Sequence, residues 1–511
     1  MTLFRIQCHS TPQKAKYQPH NMTKSAKLIL FIFSVIVFLV LAPVLVLYNM
    51  GYRYDWATES LQKTGGLFLS STPARATILL DGAKQGPTTN GYLSSLTPKI
   101  YTAKIELPGY LPWEKTLKIY PQIVTTANAV LVPQHIAQTA LFATPAAIAN
   151  FFVSPNRNDV VYTATAGSTE SINLFDLTAK TATPLYAGNI GVKNITFDAT
   201  QTKLLISFQT PTTANNWMVI NTLDGSVANI TTDLGLLGVA PTSVQQINFD
   251  PADNNTVLVA LPASAANTGT ADNATATAVD VMAINYQKIS TDTANGTDIA
   301  PASATAYMAP LLTNITRYVT APNSIYFITA HQQLKQLNLL NHTTTAIADV
   351  SNLQLSGPVN IKTNGNNVLL ENQGKLYWIA GNPSDGNLAK TVIATGVNYF
   401  SFSPDGEKVA AVTNTKTIVY YLTATTNQPF KQAYDITLVT NDSPKDVFWY
   451  PDSENLFLVY PDKIMFSDID DRSKLNQYTI ATIPALDHAW WYNNVYVSTN
   501  DNVYLLNFLG K

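Results

Sequence analysis

The sequence predicts an all-β protein apart from one N-terminal transmembrane helix, with a small β-sandwich followed by a β-propeller of seven or eight blades. Three observations predict it. A charge-free apolar run fills residues 28–47. Short alternating runs broken by Gly and Pro follow over residues 66–133. From residue 136 to residue 511 an aromatic strand, a Pro/Asp/Asn turn and two further apolar strands recur.

The apolar run reads LILFIFSVIVFLVLAPVLVL. About 20 residues at 1.5 Å each span a hydrocarbon core of about 30 Å. A cleaved signal sequence has a shorter apolar run and a small-residue cleavage site. This run leads instead into Tyr48-Asn49-Met50-Gly51-Tyr52, so an uncleaved helix over residues 28–48 is expected. Residues 1–27 hold Arg5, Lys14, Lys16, Lys24 and Lys27 and no acidic residue, which leaves 26 basic and 33 acidic residues beyond them. That asymmetry places residues 1–27 in the cytoplasm as a basic tail and everything after the helix outside it. Tyr48, Tyr52, Tyr54 and Trp56 then fall where an interfacial aromatic belt is expected. Pro43 is compatible with a membrane helix, with or without a kink. Residues 49–65 read as a linker.

A chain of 511 residues exceeds one ordinary core. Only 13% of it is charged, and no basic face is available for nucleic acid. The one cysteine, Cys8, lies in the basic tail, so no intramolecular disulfide forms.

In residues 66–133, strand-like runs stand at 67–69, 76–80, 101–107 and 114–119, and Asp81-Gly82 signals a hairpin turn because Gly accepts positive φ. The frame Pro73, Ala76, Asp81, Gly82, Gly86, Pro98, Gly109, Tyr110 resembles the PEGA family of small extracytoplasmic β-sandwiches. Ala74 and Arg75 replace the central Glu and Gly of the naming tetrapeptide, and Lys99 stands where a Gly often follows the Pro. The resemblance implies an envelope-exposed module for binding or surface assembly, with no catalytic residue. A plain spacer between membrane and larger domain is the equal alternative.

The clearest copy of the later repeat is YFSFSPDGEKVAAV at 399–412. Its turn carries Pro404, Asp405 and Gly406; other copies carry Pro155, Pro251, and Pro451 with Asp452. Weaker copies begin near Tyr318, Val359 and His488, giving about eight units at the spacing of roughly 40–50 residues that suits a propeller blade. The Ser-Pro-Asp-Gly turn resembles the PD40 or WD40-like repeats of the TolB type. Closing the ring buries the open faces of the terminal sheets. The last unit lacks an outer strand, which residues 137–142 could supply. Residues 262–280, rich in Ala, Thr and Asn, read as a long exposed loop.

No P-loop, dinucleotide fingerprint, G-x-S-x-G or H-E-x-x-H occurs, and no two of the six histidines have metal-ligand spacing. No catalytic, cofactor or metal residue is assigned. Asp468, Asp470 and Asp471 could hold a cation, but without the Gly and distal Glu of a calcium loop they read better as a solvated turn. Tyr377, Trp378, Trp449, Trp490 and Trp491 could stack on a sugar or grip a peptide near a mouth, with packing between blades as the commoner role.

These features describe a single-pass cell-membrane protein, non-enzymatic, whose propeller presents a docking surface to an envelope protein or glycan, with the lipid bilayer as its other partner. A propeller hydrolase or lyase acting on envelope glycans is the alternative. A sensor passing an external signal inward ranks last, because the tail carries no signalling domain.

Overall fold

The computed structural model describes residues 23–508 except 56–58, 144–146, 264–277, 381–389, 425–432, 437–443, 483–486, 492–493, 500–501 and positions 157, 298, 300, 358 and 366. Cys8, most of the basic tail and Trp56 lie outside the described residues.

The apolar run forms one helix, Lys24–Asn49, continuous through Pro43, and none of its residues is buried by the rest of the chain. Its 26 residues give a length of about 39 Å. Among the described residues it is the one helix long and apolar enough to cross a membrane.

The stretch expected as a linker is instead a hairpin, Tyr52–Asp55 paired with Ser60–Lys63. It returns the chain to the helix end, where Thr64 N–H donates to Gly51 O at 2.8 Å. Period-two alternation then builds two facing sheets. One is Gly91–Leu96, Gly65–Thr72 and Val124–Val130, the last two parallel. The other is Ala83–Thr88, Thr77–Leu80, Ile100–Glu106 and Trp113–Lys118. Leu67, Leu69, Ile78, Ile105, Trp113 and Leu117 fill the space between them.

The larger domain is a set of antiparallel sheets in which, among the described residues, hydrogen bonding defines eight four-stranded units. Their first strands begin at Ala147, Gly191, Gln246, Ile315, Val359, Val397, Asp446 and Asp487, and they carry the repeat copies read from the sequence. Units three and four share the 14-residue strand Met308–Ala321. Its first half is the outer strand of unit three and its second half the inner strand of unit four.

Unit eight takes its outer strand, Gln138–Ala143, from the start of the domain, paired with Asn502–Asn507. One apolar cluster joins each neighbouring pair of units. An eighth cluster joins Val503 and Leu505 of unit eight to Ile148, Phe151 and Val160 of unit one, and the ring is closed. The middle strands are buried on both faces, as in Lys408–Thr413, where every residue is buried.

Two short helices, Ile230–Leu236 and Tyr286–Ala294, were not expected. Each is started by an asparagine, Asn229 accepting from Thr232 N–H and Asn285 from Lys288 N–H. Most of the loop expected at 262–280 lies outside the described residues, but its flanking strands stay paired up to Pro262 and Val279.

Candidate functional sites at the ring mouth and the domain junction

The repeat turn is a joint between units. Ser403 Oγ donates to Asp405, and Lys408 N–H donates to Ser403 Oγ at 2.9 Å. The Lys408 ammonium, 2% exposed, lies 3.0 Å from Asp405 and 3.1 Å from Glu454 of unit seven. Asp405 N–H donates to Ser453 Oγ, also of unit seven. Gly406 has a φ of +74°, which favours glycine, and a Cβ there would stand 2.6 Å from the Asn364 side chain of unit five and push it aside. Pro155, Pro251 and Pro451 follow the first strands of units one, three and seven. Asp452 accepts from Glu454 N–H and Asn455 Nδ2, with burial pushing its carboxyl up.

The motif of the small domain also shapes turns. Asp81 and Gly82 both have positive φ, and the Asp81 carboxylate accepts from Lys99 Nζ at 2.8 Å and Thr102 N–H at 2.9 Å, which holds it below the usual carboxylate range. Ala76 is fully buried, and Tyr110 bridges to Pro133. Pro73 follows the strand Gly65–Thr72, Gly86 lies in the edge strand Ala83–Thr88, Pro98 precedes the strand Ile100–Glu106, and Gly109 turns with φ +84°.

Three of the aromatic residues offer no open face. Tyr377, Trp378 and Trp449 are buried in the clusters between units. The indole N–H groups donate to Asn367 Oδ1 and Ser401 O. Their burial matches packing between blades. Trp490 and Trp491 lie on the strand Asp487–Trp491, with side chains outside the described residues.

Asp468 and Asp470 of the acidic run turn inward, while Asp471 stays exposed. Among the described residues no cluster of His, Cys, Asp and Glu fit for a metal occurs. The loop instead clasps the edge strand Trp113–Lys118. The Lys115 ammonium, fully buried, lies 3.2 Å from Asp468 Oδ1 and donates to the carbonyls of Asp470 and Lys474. Asn476 pairs with both backbone groups of Glu114, and Ser473 Oγ accepts from Thr116 N–H. Tyr478 Oη donates to Pro112 O at 2.6 Å, and Arg472 to Thr126 O at 2.9 Å. An edge that would otherwise present free backbone groups is thereby covered. Burial pushes the Asp468 carboxyl up against the pull of Lys115 and Asn476. Burial also opposes the ionised Asp470, but Arg472, bonded to both its oxygens, holds it low.

The second site lies where the inner strands of units three to six converge. A cavity of about 560 Å³ is lined there by Gln246, Asn360, Asn398, Arg317, Lys362, Tyr318 and Tyr399 with apolar neighbours, and no carboxylate is among its lining residues. Lys362 Nζ donates to Phe400 O at 2.6 Å and sits over the rings of Tyr399 and Phe400. Burial lowers its basicity, partly offset by Asp446. Arg317 donates to Thr316 O and Gly357 O, and neither cation pairs with a carboxylate among the described residues. Tyr399 is pushed up to about 12 by burial and by Asp446. Tyr318 is buried, donating to Leu258 O and accepting from Asn248 Nδ2. Nothing in the repeat pattern marked these cations, because they fall at variable positions of the first strands.

The family model described as PEGA domain matches residues 64–135. No curated protein matches the chain. Among solved structures, the C-terminal WD40 domain of Sif2 is 9% identical, covering 73% of this chain and 99% of its own, with a TM-score of 0.43. Sqt1 of Saccharomyces cerevisiae is 11% identical, covering 73% and 98%, with a TM-score of 0.41. YCF48 from Cyanidioschyzon merolae is 9% identical, covering 73% and 98%, with a TM-score of 0.39. The ring itself rests on its own strand pairing and closure. Residues 64–135 match the PEGA domain, and the chain joins this domain to a closed ring of four-stranded β-sheets.

Proposed function

We propose that this is a membrane-anchored extracytoplasmic scaffold: the helix holds it to the bilayer, the PEGA domain seats the propeller, and the cavity of units three to six docks a protein partner. The observation that carries the docking role is the lining of that cavity. Arg317 and Lys362 with three amides suit an acidic or carbonyl-rich segment of a partner, whose oxygens would meet two cations that form no ion pair among the described residues. An envelope glycan bearing carboxylates presents the same chemistry and is the other ligand of this class.

A second reading, a lyase acting on acidic envelope glycans, is favoured by one observation, the lowered basicity of Lys362 beside Arg317. It ranks second because Lys362 donates to Phe400 O and Tyr399 is held protonated, so no base is poised there. The pair of facing carboxylates that glycoside hydrolysis uses is missing from the lining. Release of unsaturated sugar products from acidic glycans, lost in Lys362→Gln, would favour it.

The docking reading is tested with a photo-crosslinking residue at Asn398, an exposed position on the cavity wall. One extracytoplasmic protein should be captured reproducibly, and capture should fall in Arg317→Gln and Lys362→Gln. No adduct, or adducts unchanged by both substitutions, would overturn the reading.

A further inference from the structure

Large apolar side chains left in water are unevenly spread over the molecule. Among the described residues beyond the N-terminal helix, nine lie between residues 50 and 124, while the ring has four, Leu223, Val227, Leu340 and Val392. Six of the nine lie within the PEGA domain and three in the segment between it and the helix.

The exposed groups gather near the helix end. Gly51 O accepts from Thr64 N–H at 2.8 Å, and Thr64 O from Gln122 N–H at 3.0 Å. The turn at 120–123 is therefore two hydrogen bonds from the residues that follow the helix. Around it Ile100, Tyr120, Ile123 and Val124 line a cleft of about 350 Å³ with Lys118. These four are 60%, 46%, 55% and 47% exposed.

The apolar surface continues onto the outer face of the three-stranded sheet. Val124 stands beside Gly66, and the Tyr92 ring covers Gly66 so closely that a Cβ there would be 2.5 Å from its hydroxyl oxygen. Phe68 is the exposed partner of Tyr92 across the sheet.

Cations accompany the rings. Arg53 lies 3.5 Å over Tyr48, Lys63 5.4 Å over Tyr52, and Lys118 5.1 Å over Tyr120. A tyrosine ring with a long cationic side chain beside it suits the boundary between acyl chains and headgroups, where the ring packs and the cation reaches phosphate.

We propose that this end of the PEGA domain rests on the bilayer, with Ile100, Tyr120, Ile123, Val124 and Tyr92 among the headgroups and Lys118 on lipid phosphate. The inference rests on the reading of the helix as an anchor. It gives the PEGA domain a binding role with the lipid surface as ligand. Because the Lys115 clasp fixes the domain to unit seven, the ring is held at one tilt and the cavity of units three to six faces one direction.

The test uses the full chain with Cys8→Ser in lipid nanodiscs, carrying a single nitroxide at Val37→Cys, Tyr92→Cys, Ile123→Cys or Val392→Cys. Collision with oxygen relative to a water-soluble nickel chelate reads the depth of each site. The expected result is a ratio several-fold higher at 92 and 123 than at 392, and highest at 37. Aqueous ratios at 92 and 123 with a deep reading at 37 would overturn the resting face and leave the anchor standing. An aqueous reading at 37 would remove the anchor and this inference together. With Ile100→Asp and Ile123→Asp in the same chain, the label at 92 should move to the aqueous ratio while the label at 37 stays deep. A label at 92 that stays at interfacial depth would count against the contact.

Discussion

Replacing Lys115 with methionine separates the clasp from the packing around it. Methionine retains much of the apolar stem but removes the ammonium that meets Asp468 Oδ1 and two carbonyls. Asp468, 8% exposed, then keeps Asn476 N–H and Nδ2 as donors. Breaking one side of a buried pair costs about 3–5 kcal/mol, most of it from the stranded charge. Asp468→Asn in the same chain removes that charge, so the double substitution should cost less than the sum of the singles by about 2–3 kcal/mol. Urea unfolding followed by tryptophan fluorescence measures all four corners of the cycle, with Trp113 buried in the PEGA core as one reporter. In Lys115→Met the PEGA domain should unfold ahead of the ring. A coupling within about 0.5 kcal/mol of zero would refute the clasp as an energetic joint.

Asp233 is buried in the helix Ile230–Leu236 with its Oδ2 unpartnered, and burial raises it from 3.8 to about 7. A group raised in the folded state stabilises below its unfolded value, so stability should fall as pH rises from about 4 to about 7, by at most about 4 kcal/mol. Asp233→Asn should flatten that slope, which thermal melts across pH will show. Tyr318→Phe leaves Leu258 O and Asn248 Nδ2 without their buried partner and should cost about 1–3 kcal/mol in urea unfolding. Leu141→Ala weakens the cluster in which the borrowed outer strand joins unit eight to unit one, and should cost about 2 kcal/mol. Hydrogen exchange should quicken in Gln138–Ala143 and Asn502–Asn507 before it does in unit five.

The ring was legible because its repeats obey one rule, a first strand followed by a turn rich in Pro, Asp and Asn. That pattern placed Tyr318, Val359 and His488 on first strands, and the missing outer strand of unit eight pointed to the segment that supplies it. The two helices were hidden by their length, and their signal was local: an asparagine three residues before the amide it caps. The reading of Asp468, Asp470 and Asp471 as a turn in water missed the clasp because the counter-charge of Asp468 lies over 350 residues away in sequence. The other half of the clasp left a trace. Trp113, Lys115 and Leu117 share one side of an alternating strand, so the pattern put a lysine where an apolar residue belongs. Arg317 and Lys362 gave no such trace, since the cavity forms only where the first strands of units three to six converge.

The most direct test of the anchored arrangement uses the single native thiol. In intact cells a membrane-impermeant maleimide should leave Cys8 unlabelled until the membrane is opened, while Val392→Cys, placed on the exposed ring surface in a Cys8→Ser chain, should label at once. Labelling of Cys8 from outside, or protection of position 392 in the same cells, would contradict a scaffold held outside the membrane by its N-terminal helix.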